Sequence, residues 1–282
     1  MKIFKLLNKA SSHLLKIFGD KKLAYGEAVN ILLSILKIPK ERLYSNLRLE
    51  LNKKTIQNFL KKISKRKKGY PTQYLTNYEF FYNRRFIIRR GVFIPRPETE
   101  TLIDAAKKAF IKKCKNCLDI GCGSGCLGTT IKLEIPHIKK ITFIDYDKTA
   151  INNTKDNVKY YNLQAKIIHS CFFKYISKHK IKYDAAICNP PYIAPQEYKK
   201  LQKEVKYEPK TALLAKNNGY HFYIKLNMSG NMFLKHGGYL ILESGNNIAD
   251  DIKKIFKSNW NFLFGINDFY NIERALVFQL RF

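Results

Sequence analysis

The sequence predicts an α/β protein: a parallel sheet covered by helices, preceded by a small helical domain and joined to it by a β-hairpin. Three observations lead there. After residue 93, short apolar runs alternate with longer segments of helical periodicity, the pattern that builds parallel sheets. Before residue 68, apolar residues recur at spacings of three and four, as in helices. Between them, Tyr78–Ile88 has two aromatic-rich halves around Tyr82-Asn83-Arg84, which reads as a hairpin. The expected division is 1–70 (helical domain), 71–92 (linker with hairpin) and 93–282 (sheet domain). A length of 282 residues suits two domains, and 45% apolar content with 18 Tyr and 19 Phe excludes a disordered or collagen-like chain.

In the helical part, Ala28, Leu32 and Ile35 mark one face of Ala24–Leu36, and the same spacing returns along Ile56–Ile63. Pro39 marks a boundary between helices. The first 22 residues place Ile3, Phe4, Leu7, Leu14, Leu15 and Phe18 among lysines. That spacing reads as an amphipathic first helix rather than a targeting segment. In the sheet part, strands are expected at Cys117–Ile120, Ile141–Asp145, Ala165–Ile168, Asp184–Cys188, Tyr239–Glu243, Trp260–Phe264 and Ala275–Leu280. Helices are expected at Cys126–Glu134, Lys148–Tyr160, near Tyr220–Lys235, and at Ile248–Lys257. In such sheets, ligands bind at the carboxyl ends of the strands.

The chain is strongly basic, with 52 Lys and Arg against 22 Asp and Glu. This balance invites a nucleic-acid reading. Lys outnumbers Arg 42 to 10, however, and Arg supplies the bidentate contacts of specific readout. The charge is therefore read as compositional, with Lys61–Lys68, a charged helix end, as the one candidate basic patch. The six cysteines, at 114, 117, 122, 126, 171 and 188, are read as reduced structural thiols of a cytoplasmic protein. Cys114-x-x-Cys117 lacks histidines at ligand spacing, so no metal site is expected. No run approaches the ~18 apolar residues of a membrane span.

Chemistry concentrates at two strand ends. Leu118-Asp119-Ile120-Gly121-Cys122-Gly123-Ser124-Gly125 leaves a strand and enters a helix. Glycines there permit a tight turn and close approach of backbone amides to a ligand. The G-x-G-x-G spacing differs from the dinucleotide fingerprint, and no Lys-Ser/Thr pair follows to hold phosphate. Asp119, two residues before Gly121, is placed to pair with an amine, and Asp145 at the next strand end to take both ribose hydroxyls. Together these fit S-adenosylmethionine better than NAD or ATP.

Asp184–Cys188 then runs into Asn189-Pro190-Pro191-Tyr192. Two prolines cannot continue a central strand, so the chain turns at the sheet edge. Proline also fixes φ and removes amide donors. The rigid turn presents the Asn189 side-chain oxygen and the Pro190 carbonyl as acceptors, with the flat face of Tyr192 beside them. That arrangement suits a planar –NH2 group, whose two hydrogens it holds while the nitrogen attacks a methyl sulfonium. Alignment and preorganised dipoles carry such a step without a strong base.

With both motifs in place, the chain resembles amino-group methyltransferases that use S-adenosylmethionine. Further residues narrow the resemblance: Gln73-Tyr74-Leu75, Glu79-Phe80, Phe93-Ile94-Pro95-Arg96-Pro97-Glu98-Thr99-Glu100, Tyr207-Glu208-Pro209, Leu242-Glu243-x-Gly245 and Asn271-x-Glu273-Arg274. In this order they resemble the peptide chain release factor N(5)-glutamine methyltransferases, the HemK/PrmC family. The resemblance implies a Rossmann-like methyltransferase sheet and methylation of the glutamine amide in the Gly-Gly-Gln motif of class 1 release factors. It implies that Asn189 and Pro190 hold that amide, that Tyr192 packs against it and that Pro191 shapes the turn. It implies cofactor contacts from Gly121, Gly123, Gly125, Asp119, Asp145, Asn189 and Phe172, the last stacking on adenine. It places Arg96-Pro97-Glu98 in a wall of the cleft, and gives the helical domain and hairpin the grip on the release factor.

The chain departs from the family at His169-Ser170-Cys171-Phe172, where Ser-Asp before an aromatic is usual. Cys171 replaces that acid, and Cys122 and Cys126 replace small or apolar loop residues, which implies weaker cofactor binding with the chemistry intact. The alternative reading is an adenine-N6 methyltransferase of DNA or RNA, served by the same tetrapeptide and by the charge. It lacks a target-recognition segment and leaves the P-R-P-E-T-E run unexplained. A non-enzymatic basic binding module would have no use for the glycine loop, Asp145 and N-P-P-Y together.

Overall fold

A computed structural model describes residues 1–110 and 114–281, and the chain forms two compact units. The first comprises Met1–Tyr78 and a returning segment, Gln202–Tyr207. Its helices are α1 (Ile3–Phe18), α2 (Lys21–Leu36), α3 (Lys40–Ser45), α4 (Lys53–Lys67) and α5 (Thr72–Thr76). Their ends follow local chemistry. Gly19 closes α1 at φ 65°, while the side chains of Asp20 and Asn52 accept the amides of Leu23 and Thr55, each at 2.8 Å. Apolar faces meet in a core that includes Leu6, Leu7, Leu14, Ala28, Leu32, Phe59 and Ile63. The N-terminal amphipathic segment is thus a core helix of this unit.

The basic run at the end of α4 is not uniformly solvated. Lys61, Lys65, Lys67 and Lys68 are exposed, but Arg66 is only 4% exposed. Its guanidinium bonds Glu27 at 2.5 Å and Glu204 at 2.9 Å. The returning segment is therefore tied by a buried charge, and by Tyr207 against Tyr70 with ring centroids 5.1 Å apart.

The second unit comprises Glu79–Leu201 and Glu208–Phe282. It opens on a hairpin, β1 (Tyr78–Phe81) and β2 (Arg84–Ile87), whose turn residues Tyr82 and Asn83 have φ of 50° and 56°. Then follow α6 (Thr101–Ala109), β3 (Asn116–Ile120), α7 (Cys126–Glu134), β4 (Lys140–Asp145), α8 (Lys148–Tyr160), β5 (Lys166–His169) and α9 (Phe172–Lys178). The remainder is β6 (Tyr183–Cys188), α10 (Pro195–Lys200), α11 (Lys210–Leu213), α12 (His221–Phe233), β7 (Leu234–Glu243), α13 (Ala249–Ile255), β8 (Trp260–Asn267) and β9 (Glu273–Leu280).

The expected 71–92 linker is divided between the two units. Residues Thr72–Thr76 are helical within the first, and the hairpin packs within the second. Buried Asn153 and Asn157 of α8 explain the latter: Asn157 accepts the Ile87 amide at 2.8 Å, and Asn153 donates to the Ile87 carbonyl at 2.7 Å. Six short helices, α3, α5, α6, α9, α10 and α11, lie outside the elements that periodicity predicts. None exceeds nine residues, roughly two and a half turns, too little for a spacing to repeat clearly.

The large sheet has strand order β5-β4-β3-β6-β7-β9-β8. Neighbours from β5 to β7 run parallel, and β9 pairs antiparallel with both β7 and β8. From central β3 the chain winds outward through β4 and β5, then crosses to β6 on the other side. The crevice at the carboxyl ends of β3 and β6 is the topological switch point, where doubly wound sheets bind ligands. Among the described residues no helix is long and apolar enough to cross a membrane.

Candidate active site

A cleft of about 180 Å³ opens at this switch point. Its walls come from the loop after β3, the end of β4, the Ser170–Phe173 turn, the tetrapeptide after β6 and the stretch Gly91–Pro95 with Thr99. All of these belong to the second unit.

The glycine loop is built for backbone approach. Gly121 and Gly123 have φ of 67° and 56°, and a Cβ on either would meet nothing within 4 Å, so the open side of the loop faces free space. Asp119 lies beneath it, 1% exposed and absent from the cleft lining. Its Oδ2 accepts the Gly128 amide at 2.9 Å, capping α7, while Oδ1 is buried without a hydrogen-bond partner. Burial raises its pKa to about 7, opposed by the Gly128 amide and aided by Asp145. Asp145 lines the cleft and is oriented by two amides, Gly123 at 3.0 Å and Asp147 at 2.9 Å. Each of its oxygens keeps a lone pair for a ligand hydroxyl.

Cys122, Cys126, Cys171 and Cys188 also line the cleft. Three are buried, and burial pushes their thiols up, Cys126 to about 12, so they stay neutral fillers. Cys171 is exposed at the N-cap of α9. Phe172 reaches the cleft, but its ring is 8% exposed and packed edge-on against Phe173 and Phe233, with centroids 5.1 and 5.2 Å away. Much of that face belongs to the core, and half-buried Phe173 lines the cleft beside it.

The tetrapeptide ends β6 beside this cradle. Asn189, Pro190 and Pro191 line the cleft. Asn189 Nδ2 donates to Thr99 Oγ1 at 3.2 Å, and Tyr192 donates its hydroxyl to Glu243 Oε1 at 3.3 Å. Thr99 and Glu243 are each 2% exposed. Burial raises the Glu243 pKa to about 7, while the Thr99 hydroxyl, Arg274 and the Tyr192 hydroxyl hold it down. Both ends of the tetrapeptide thus lead to one buried carboxylate at the end of β7.

The Arg96 segment differs from its expected placement. Pro95 and Thr99 line the cleft, whereas Arg96, Pro97 and Glu98 do not. Arg96 turns to Glu208, which is 3% exposed and also accepts the Ile94 amide at 2.9 Å. Two runs singled out from the sequence therefore fasten to each other. Thr99 and Glu243 were legible only as motif members, and no site role follows from their spacing. The available signal was an acid at the carboxyl end of a buried parallel strand, as at Asp145.

Comparison with known proteins adds the following. Residues 5–76 match the family described as the PrmC N-terminal domain, and residues 85–219 match the methyltransferase small domain. A release factor glutamine methyltransferase of Bacillus cereus is 31% identical, covering 91% of this chain and 91% of that protein. Another, of Koribacter versatilis, is 33% identical over 76% of each. A bifunctional methyltransferase of Rickettsia conorii is 31% identical over 90% of this chain, which spans only 53% of that relative. A solved methyltransferase from Pyrococcus furiosus shares the fold, with a TM-score of 0.53, 15% identity, and coverage of 72% of this chain and 91% of that one.

Proposed function

We propose that this chain, which belongs to the release factor glutamine methyltransferase family, methylates the glutamine side-chain amide in the Gly-Gly-Gln motif of class 1 release factors, using S-adenosylmethionine. The observation that carries the reading is the meeting of the glycine cradle and the Asn189–Tyr192 turn in one cleft at the sheet's switch point.

The residues present fit the cofactor. The unpartnered Oδ1 of Asp119 awaits a cation, the open side of Gly121 and Gly123 admits a chain against the backbone, and Asp145 offers acceptors to ribose hydroxyls. When bound, the cofactor supplies an electrophilic methyl group on a sulfonium. Asn189 accepts one hydrogen of the substrate amide through Oδ1, and Pro190 accepts the other through its carbonyl. Fixed in this way, the amide nitrogen keeps its lone pair directed at the methyl carbon. Asn189 and Pro190 hold the amide as a bound cofactor gives up its methyl group to this nitrogen, keeping the sulfur electron pair as a neutral thioether, until one of the amide protons is released to water. Tyr192 packs on the amide plane, and Pro191 holds the turn. Residues 1–70 and the hairpin contribute to gripping the release factor.

Incubation with methyl-labelled S-adenosylmethionine, offering a class 1 release factor in one arm and DNA or RNA in the other, tests the proposal. Label is expected on the factor; label on nucleic acid alone favours the adenine-N6 reading.

A further inference from the structure

We propose that Glu243 is a positioning residue which, acting through the Thr99 hydroxyl, sets which end of the Asn189 side-chain amide faces the cleft. The inference rests on the function proposed above for Asn189 and deepens it.

A carboxamide has two ends of similar shape and opposite hydrogen-bonding character. The substrate amide presents hydrogens, so Asn189 serves it only with Oδ1 toward the cleft and Nδ2 away. Packing alone separates these orientations poorly. A hydrogen-bond partner of fixed polarity separates them well. Thr99 Oγ1 is that partner, at 3.2 Å from Nδ2.

A hydroxyl has a single proton, so its polarity depends on its other neighbour. That neighbour is Glu243, which when ionised only accepts. The Thr99 hydroxyl lies beside this carboxylate and holds its pKa down, while Glu243 Oε2 is buried without a hydrogen-bond partner. An ionised Glu243 therefore draws the Thr99 proton toward itself and leaves the Thr99 lone pairs for Nδ2. Both residues are 2% exposed, which shields the relay from competing water. The relay is anchored at several points. The Thr99 amide donates to the Arg96 carbonyl at 3.1 Å, and Arg96 is paired with Glu208. The Tyr223 hydroxyl of α12 holds the Glu243 carbonyl at 2.7 Å. Tyr192 donates to the same carboxylate, so both ends of the tetrapeptide are set by one charge.

The groups facing Glu243 include Arg274 from β9, Glu98 from the turn before α6, the hydroxyls of Thr99 and Tyr192, Tyr223 from α12 and Cys188 at the end of β6, the last two with pKa values raised well above their ordinary values by burial. Arg274 favours the ionised form and Glu98 opposes it, and with burial the carboxyl comes to about 7. Once protonated, Glu243 can donate to Thr99 and the preference at Asn189 is lost.

Three variants test this. Glu243→Gln keeps the shape but replaces an acceptor-only group with one that can also donate, so the Thr99 hydroxyl is no longer held to one polarity and the preference at Asn189 is lost. Thr99→Val removes the hydroxyl at constant size, and Thr99→Ser restores it. Expected is a fall in kcat of about ten-fold or more for the first two, the effect of one misdirected hydrogen bond. Thr99→Ser is expected near wild type, with cofactor affinity little changed in all three. A substrate-free readout accompanies the kinetics: the side-chain 15NH2 resonances of Asn189, identified by their loss in Asn189→Ala. They are expected to titrate near neutral pH in the wild type and to stay flat in Glu243→Gln. Wild-type kcat in both Glu243→Gln and Thr99→Val, or Asn189 resonances unmoved by either, overturns the proposal. If the resonances respond but the wild type transfers no methyl group to a release factor, the relay stands and the proposed function falls.

Discussion

A Cβ placed on Gly245 would stand 2.8 Å from Cδ2 of Tyr192, so the ring of the tetrapeptide's last residue rests in the space that the glycine leaves open. Glu243 holds the hydroxyl of the same ring two residues earlier in the chain. The Leu242-Glu243-x-Gly245 run is thereby explained by a residue more than 50 positions away. Gly245 does not have a positive φ, so alanine is acceptable to the backbone there and only the ring must move. Gly245→Ala is expected to reduce methyl transfer about ten-fold or more by displacing the plane against which the substrate amide packs. Cofactor affinity, measured by calorimetry, should stay within a few fold, and an equal loss of both would contradict the assignment.

Arg96 and Glu208 yield a stability prediction. Glu208 is 3% exposed, and removing Arg96 leaves its charge buried with only the Ile94 amide and its remaining polar contacts. Arg96→Met is expected to cost about 2–3 kcal/mol in denaturant unfolding. Adding Glu208→Gln should return part of that loss, because the isolated charge is what costs energy. A double variant no more stable than Arg96→Met would show that packing, not charge, links the segments.

Cys171 occupies the N-cap of α9 without a side-chain hydrogen bond to the helix. Cys171→Asp supplies a capping acceptor, which is expected to raise stability by about 1 kcal/mol in thermal or denaturant melts. With Ser170 and Phe172 lining the cleft beside it, the same change is expected to tighten cofactor binding. A weaker cofactor affinity would mean that the thiol, not the acid, suits this pocket.

Asp119 sets a pH dependence. Its carboxyl is raised to about 7 by burial, so it is largely protonated in the free enzyme at pH ~6. An ammonium group bound at Oδ1 favours the carboxylate and lowers that pKa. Binding is therefore expected to release a proton below neutrality, and affinity is expected to rise with pH up to about 7. Calorimetry in buffers of different ionisation enthalpy measures the released proton, and Asp119→Asn should abolish it. Proton uptake on binding would contradict the placement of the amine. The stability sign is opposite: the raised folded-state pKa means that ionising Asp119 costs stability as pH rises from the ordinary carboxylate range towards about 7.

How far the sequence reveals this structure depends on the range of the interactions involved. The bounds of α7 and α8 were readable because Gly125 and Asp147 mark their starts locally, and in the thirteen residues of α8 the apolar spacing also repeats. The parallel strands were readable because burial on both faces makes them continuous apolar runs. The glycine loop and the tetrapeptide carry their chemistry in consecutive residues. The Asn189–Thr99–Glu243 relay does not: its members lie 90 and 144 positions apart along the chain, and only the sheet order brings β6 and β7 together over the turn before α6. Arg66 makes the same point in the first unit. Within a run of lysines it looks like solvated charge, and only its distant partners Glu27 and Glu204 make it a buried anchor.

The most direct measurement is peptide mass spectrometry of a class 1 release factor after reaction with this protein and S-adenosylmethionine, alongside the Asn189→Ala variant. Expected is a single methyl group on the side-chain amide of the Gly-Gly-Gln glutamine with the wild type, and none with Asn189→Ala although its cofactor affinity is retained. A methyl group on another residue, or undiminished modification by Asn189→Ala, would contradict glutamine methylation at the Asn189–Tyr192 turn.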